Sequence, residues 1–227
     1  MKDPVEILVL ERQIIKFYDE TYYTFGSSDN NKTYDKFFIS GDNNSRMTSQ
    51  IGIELFEDEK LKSSCLIGAT GGRTVIHENS TIISYGGLIL CCSNTVFKLT
   101  IPDLNLEWKT ISDPATCFGI HYLNKDYVVH GELEITRLDK DGKIVWQKSS
   151  SDIWTTAEGI DDFSVYDGYI LATDWDYFRY KFDYEGNLLD KYKVEHQKID
   201  TNEIDFTKEK AELQDEKQVR MKWWKFW

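Results

Sequence analysis

The chain has 227 residues and a formal net charge of −12, with aromatic residues at 14% and only three prolines. That length buries a sizeable core as one domain, and the acidity argues against nucleic acid, whose phosphates need a basic surface, while attracting a basic protein partner. Met1 to Pro4 is not the basic start of a signal peptide, and no window approaches the ~20 apolar residues that span a bilayer, so a cytoplasmic protein is expected.

In chain order, Val5 to Leu10, Gln13 to Tyr18 and Thr21 to Phe25 read as strands from their β-branched and aromatic content, followed by a polar loop from Gly26 to Lys32. A helix starting at Pro4 is the alternative, because Asp3-Pro4 is a good cap and first-turn pair. Gly41 to Ser45 is a loop. The Gly68-Ala-Thr-Gly-Gly-Arg73 stretch lacks the order of a phosphate-binding loop and reads as a turn between strands.

Four segments then share one pattern of strand, polar turn and strand: Ile53 to Leu61, Val96 to Trp108, Ile135 to Trp146 and Tyr180 to Leu189. Their anchors, Leu55, Leu99, Leu138 and Phe182, are 44, 39 and 44 positions apart. A hairpin in every unit at a period of about forty is the signature of propeller-like sheets, which must stack because one small sheet cannot bury both faces alone. Upstream of the last three hairpins, Thr81 to Cys92, Phe118 to His130 and Phe163 to Thr173 read as inner strand pairs turning at Gly86-Gly87, Asn124-Lys125-Asp126 and Asp167-Gly168. The fold expected is mainly β: a propeller-like or open repeat of about four small antiparallel sheets over residues 1–200. A C-terminal helical tail over 201–227 ends in the basic and aromatic tip Lys222 to Trp227.

The segment Leu138-Asp-Lys-Asp-Gly-Lys-Ile-Val-Trp146 resembles the outer hairpin of quinoprotein-type or WD40-type propeller repeats. Trp108 and Trp146 match its tryptophan, whereas Asp190 stands at that place in the last unit and Lys62 or Ser63 in the first. Thr74 to Trp154 is also similar to small bacterial proteins encoded beside polymorphic toxins as immunity factors. That second resemblance implies a tight protein inhibitor.

Cys65, Cys91, Cys92 and Cys117 have neither metal-ligand spacing nor the density of a disulfide scaffold, and are expected as reduced core thiols, with Cys91 and Cys92 on opposite faces of a strand. No nucleophile elbow, zinc-protease motif or complete calcium loop is present. Strand periodicity puts His130, Glu132 and Glu134 on one face and Leu133 and Ile135 on the other, with His121 on the paired strand; this set permits a metal site, and the competing reading is a solvated polar face or hydrogen bonding between neighbouring sheets. Asp152, Glu158, Asp161, Asp162, Asp174 and Asp176, interleaved with Trp154, Trp175 and Tyr177, suit an interface in which aromatics supply contact area and carboxylates steer a basic partner. The tryptophans as core and the aspartates as turn formers is the competing reading.

The sequence thus points to a non-enzymatic, cofactor-free binding protein of the immunity type, covering a basic toxin through His130 to Glu134 and Asp152 to Tyr177. The alternatives are a metal-dependent enzyme or lectin using His121, His130 and Glu132, and an adaptor acting through its tail with peripheral contacts at Lys222 to Trp227.

Overall fold

The computed structural model describes residues 3–41, 47–159 and 162–195. Asp161 and the expected tail helix lie outside the described residues. The described residues up to Val194 belong to one compact unit. It is built from seventeen strands in four sheets and one short 3-10 turn, Glu78–Ser80, among the described residues.

Sheet 2 is a meander of β6 (Thr81–Ser84), β7 (Gly87–Cys92), β8 (Thr95–Thr100) and β9 (Leu106–Ile111). Sheet 3 repeats it with β10 (Cys117–Leu123), β11 (Asp126–Gly131), β12 (Ile135–Leu138) and β13 (Ile144–Lys148). Sheet 4 repeats it again with β14 (Phe163–Tyr166), β15 (Tyr169–Thr173), β16 (Phe178–Phe182) and β17 (Leu188–Lys193). All pairs within these sheets are antiparallel, and each outer pair carries one bulge at the same place. The propeller-like repeat expected from the sequence is therefore the observed architecture.

Sheet 1 departs from the pattern. It has five strands in the order β1 (Glu6–Val9), β2 (Gln13–Asp19), β4 (Ser49–Glu57), β5 (Lys60–Ala69) and β3 (Lys36–Ile39), and β3 runs parallel to β5. The third strand expected at Thr21 to Phe25 is a turn: the Asp19 carboxylate accepts from the Thr21 amide at 3.1 Å, and the Tyr23 amide donates to Glu20 O at 2.7 Å. A helix from Pro4 does not form, since Glu6 to Val9 pair with β2.

Three apolar layers join the four sheets in sequence. Ile53, Leu55 and Ile67 of sheet 1 meet Leu88, Leu90 and Leu99 of sheet 2. Ile89 and Val96 of sheet 2 meet Ile120, Val129 and Leu138 of sheet 3. Val128 and Ile135 of sheet 3 meet Ile170, Ala172 and Phe182 of sheet 4. Strand alternation sends Cys92 into the first layer and its neighbour Cys91 into the second, as the period of two requires. All four cysteines are free and buried, and no apolar layer joins sheet 4 to sheet 1 among the described residues.

The stack is fastened at its outer hairpins. Trp108 on β9 covers Gly142 in the β12–β13 turn of the next sheet, where a Cβ on Gly142 would lie 2.4 Å from the indole. Trp146 on β13 covers Gly186 in the β16–β17 turn in the same way, and its Nε1 donates to Tyr184 O at 2.9 Å. Both glycines have positive φ, 78° and 80°, so they turn the hairpin and clear the space for the ring. Ser63 takes the corresponding place in sheet 1, opposite Leu55 across the bulge, and donates to Pro102 O in the β8–β9 turn at 2.6 Å. Asp190, across from Lys181, holds the position in sheet 4.

Candidate functional site

The hairpin turns described above gather at one end of the stack. At the other end run the linkers between sheets, described at residues 70–80, 112–116, 149–159 and 162, together with the central turns of the sheets. Backbone hydrogen bonds tie these segments across sheet boundaries: Gly72 N to Ala115 O at 2.9 Å, Glu132 N to Thr116 O at 2.7 Å, Trp154 N to Glu132 O at 2.8 Å and Trp175 N to Ile153 O at 2.9 Å. This end is a continuous, internally bonded surface in which every loop holds its neighbour.

Buried carboxylates organise it. Asp113 accepts from four amides, those of Ala115, Thr116, Leu133 and Glu134, at 2.6–2.8 Å. Asp174 accepts from the amides of Asp176 and Phe178 and from the hydroxyls of Tyr180 and Ser151. Asp162 accepts from the hydroxyls of Thr155 and Thr156 at 2.6 and 2.7 Å. Each satisfied carboxylate fixes a loop that has no strand ladder of its own.

These contacts sort the expected site residues. Trp154 is fully buried, set edge-on against Tyr180 and Phe182, with Nε1 donating to Lys148 O at 3.1 Å; it is core, not interface. Asp174 is a loop anchor. Trp175 is 44% exposed, and Asp152 and Asp176 are exposed on the two loops joined by the Trp175 amide. Tyr177, at φ 62°, donates its hydroxyl to Glu158 at 2.8 Å. Trp175, Asp176 and Asp152 thus form an exposed aromatic and acidic edge, with Glu158 and Tyr177 beside them.

The strand reading of His130 to Ile135 needs correction. β11 ends at Gly131, and Asp113 captures the Leu133 and Glu134 amides and folds 131–134 into a turn, so His130, Glu132 and Glu134 do not share one strand face. Gly131 is required there, because a Cβ would lie 2.3 Å from the Asp113 carboxylate. Leu133, expected on one face with Ile135, is exposed while Ile135 is buried. Glu134 instead accepts from Ser149 at 2.8 Å.

His121 and His130 do come together, across β10 and β11, in the wall of an open cavity of about 480 Å³. Phe163 stacks on His130 at 4.8 Å and 11°, and lies 5.0 Å from His121; Phe118 meets His130 edge-on. His130 Nε2 lies 2.6 Å from Trp154 O, and since a carbonyl only accepts, Nε2 carries the proton and Nδ1 the lone pair. Burial holds the His130 pKa below its ordinary value, and burial together with His130 and His77 lowers that of His121 to about 4. Glu132 is absent from this wall, and among the described residues no group of three or more His, Cys, Asp or Glu is placed to hold a metal ion.

Sequence reasoning did not single out Arg73, Asn79, Phe118 or Phe163 as part of this site. All lie in or beside the linkers between repeat units, and their one signal is that the stretches at 70–80 and 149–162 exceed the short turns within sheets 2, 3 and 4. The thiols offer no nucleophile: burial pushes Cys65 up to about 12 and raises Cys92 and Cys117 as well.

No protein-family model matches the chain, and no curated protein matches it. Among solved structures it is similar to the computationally designed Ika8 protein, with a TM-score of 0.45, 10% identity and coverage of 63% of this chain and 45% of that one. It is also similar to BamB from Moraxella catarrhalis, with a TM-score of 0.46, 14% identity and coverage of 65% and 45%. The Pan2 WD40 domain of Neurospora crassa gives a TM-score of 0.42 at 14% identity, covering 52% and 39%. The chain spans less than half the length of each of these three, and likenesses at this level carry nothing about function. Among the described residues no helix is long and apolar enough to cross a membrane.

Proposed function

We propose that this chain is a non-catalytic protein-binding module and, more narrowly, an immunity-type protein that neutralises a cognate toxin by covering its basic active face. The observation that supports this reading is Trp175, an exposed indole next in the chain to the exposed Asp176, on a loop whose Trp175 amide is bonded to Ile153 O, beside the exposed Asp152. An aromatic anchor supplies desolvated contact area, the carboxylates steer a basic partner, and a surface ordered in advance loses little entropy on docking. The net charge of −12 adds long-range attraction for such a partner. Occlusion needs no bond-making group, which agrees with the inert, buried thiols.

The test is co-expression with the product of the adjacent gene, since an immunity factor is inherited with its toxin. Protection of growth and a stoichiometric complex on co-purification are expected. The Trp175→Ala, Asp176→Lys double variant should weaken that complex about a hundredfold while leaving the fold intact. A host killed equally with and without the chain, and no complex, overturns the reading.

A further inference from the structure

We propose that the cavity beside His121 and His130 receives an arginine side chain of the protein partner; this rests on the binding-module reading and names the chemistry of its central contact. The first support is Asp162. Asp162 is among the residues that line the cavity and is 8% exposed; its two carboxylate oxygens each accept one hydroxyl, from Thr155 and Thr156, and among the described residues no cation pairs with it. A carboxylate has about four acceptor positions and two are taken by the hydroxyls, so the others are open to a cation that brings its own donors.

The second support is the wall itself. Phe163, one face of which His130 covers, and Phe118 line the cavity, an apolar aromatic wall against which the methylenes and the flat, weakly hydrated guanidinium of an arginine pack. With Nε2 of His130 committed to Trp154 O, Nδ1 is an acceptor, and both imidazoles are neutral at physiological pH, so they accept from a cation and do not repel it. A volume of about 480 Å³ holds an arginine side chain with its bridging waters. The opposing charge is Arg73 at the rim; Asp19 holds its guanidinium at 2.9 Å and offsets it. A lysine ammonium lacks the flat face that the rings would cover, which is why the geometry selects arginine.

The probe is N-acetyl-arginine amide, titrated into the full chain, with the lysine and tyrosine amides as comparators. The readout is the imidazole C–H resonances, well resolved because the chain has only four histidines. His121 and His130 should shift and saturate with the arginine amide, at an affinity about ten-fold above that for lysine. Asp162→Asn should weaken arginine binding about ten-fold. Because that change also alters the bonds of Thr155 and Thr156, Asn79→Lys provides a second variant, adding a cation at the exposed rim without touching the core, and should weaken binding in the same direction. No saturable shift, an equal response to tyrosine, or unchanged affinity in both variants overturns the proposal. A toxin complex without any arginine response overturns the cavity alone; saturable arginine binding without a complex supports the cavity and counts against the reading on which it rests.

Discussion

The two ends of the sheet stack solve different problems. At the hairpin end one device recurs: a side chain from the second strand of a hairpin in one sheet closes on the turn of the next, as Ser63 on Pro102, Trp108 on Gly142 and Trp146 on Gly186. At the linker end nothing recurs. Asp113, Asp162 and Asp174 each bind a different set of amides and hydroxyls, and the cavity and the exposed Trp175 both lie there. Regularity marks the joints that hold sheets together, and irregularity marks the surface left free to specialise.

The sharpest way to break that division is to exchange its tryptophans. Trp154 belongs to the linker end by position but to the core by burial, so Trp154→Ala should cost ~3–5 kcal/mol, the range for removing a large aromatic from a packed interior. Trp175→Ala removes an exposed ring and should change stability by no more than ~0.5 kcal/mol. Urea unfolding of both variants measures the contrast. Equal losses would mean that the linker end is as structural as the hairpin end.

A glycine pair sharpens the other half. Gly142 and Gly168 both sit in hairpin turns at positive φ, 78° and 84°, but a Cβ meets Trp108 at Gly142 and nothing at Gly168. The backbone term is common to both and costs ~1–2 kcal/mol for an L-residue. Gly142→Ala should therefore lose ~3 kcal/mol and Gly168→Ala about 1 kcal/mol, the difference being the displaced indole. Thermal unfolding with identical losses would show that the Trp108 closure contributes nothing.

Most of the repeat was legible because its signals are local. Turn residues at Gly86, Asp167-Gly168 and Asp141-Gly142 and strand alternation between them suffice for three sheets, and the anchors Leu55, Leu99, Leu138 and Phe182 are all buried. Sheet 1 was legible only in part: β3 pairs in parallel with β5 across a long connection, and a parallel pair leaves no hairpin signal in the sequence. The site was harder still. Whether 131–134 continues a strand or turns is decided by Asp113, about twenty residues upstream in the linker between sheets 2 and 3, and whether a tryptophan is anchor or core is decided by partners such as Tyr180 and Phe182. Periodicity assigns faces only while the strand lasts.

The last expected effect concerns the cavity's histidines. His121 lies among Phe163, His130 and His77, and burial followed by the two neighbouring imidazoles lowers its pKa from 6.5 to about 4. Between those values the unfolded chain binds a proton that the folded chain refuses, so stability falls as pH drops through 6.5 and levels off below about 4. The full shift corresponds to ~3 kcal/mol, and partial exposure of the ring reduces that to on the order of 2 kcal/mol. Carboxylates add their own pH dependence in acid, so the quantity to measure is the difference between the wild type and His121→Gln, whose uncharged side chain does not titrate. Urea midpoints from pH 7.5 to pH 4 should converge for the two proteins as the pH falls, with the wild type losing more. Parallel curves would mean that His121 is solvated in the folded chain and that the linker end bears no cost for its cavity.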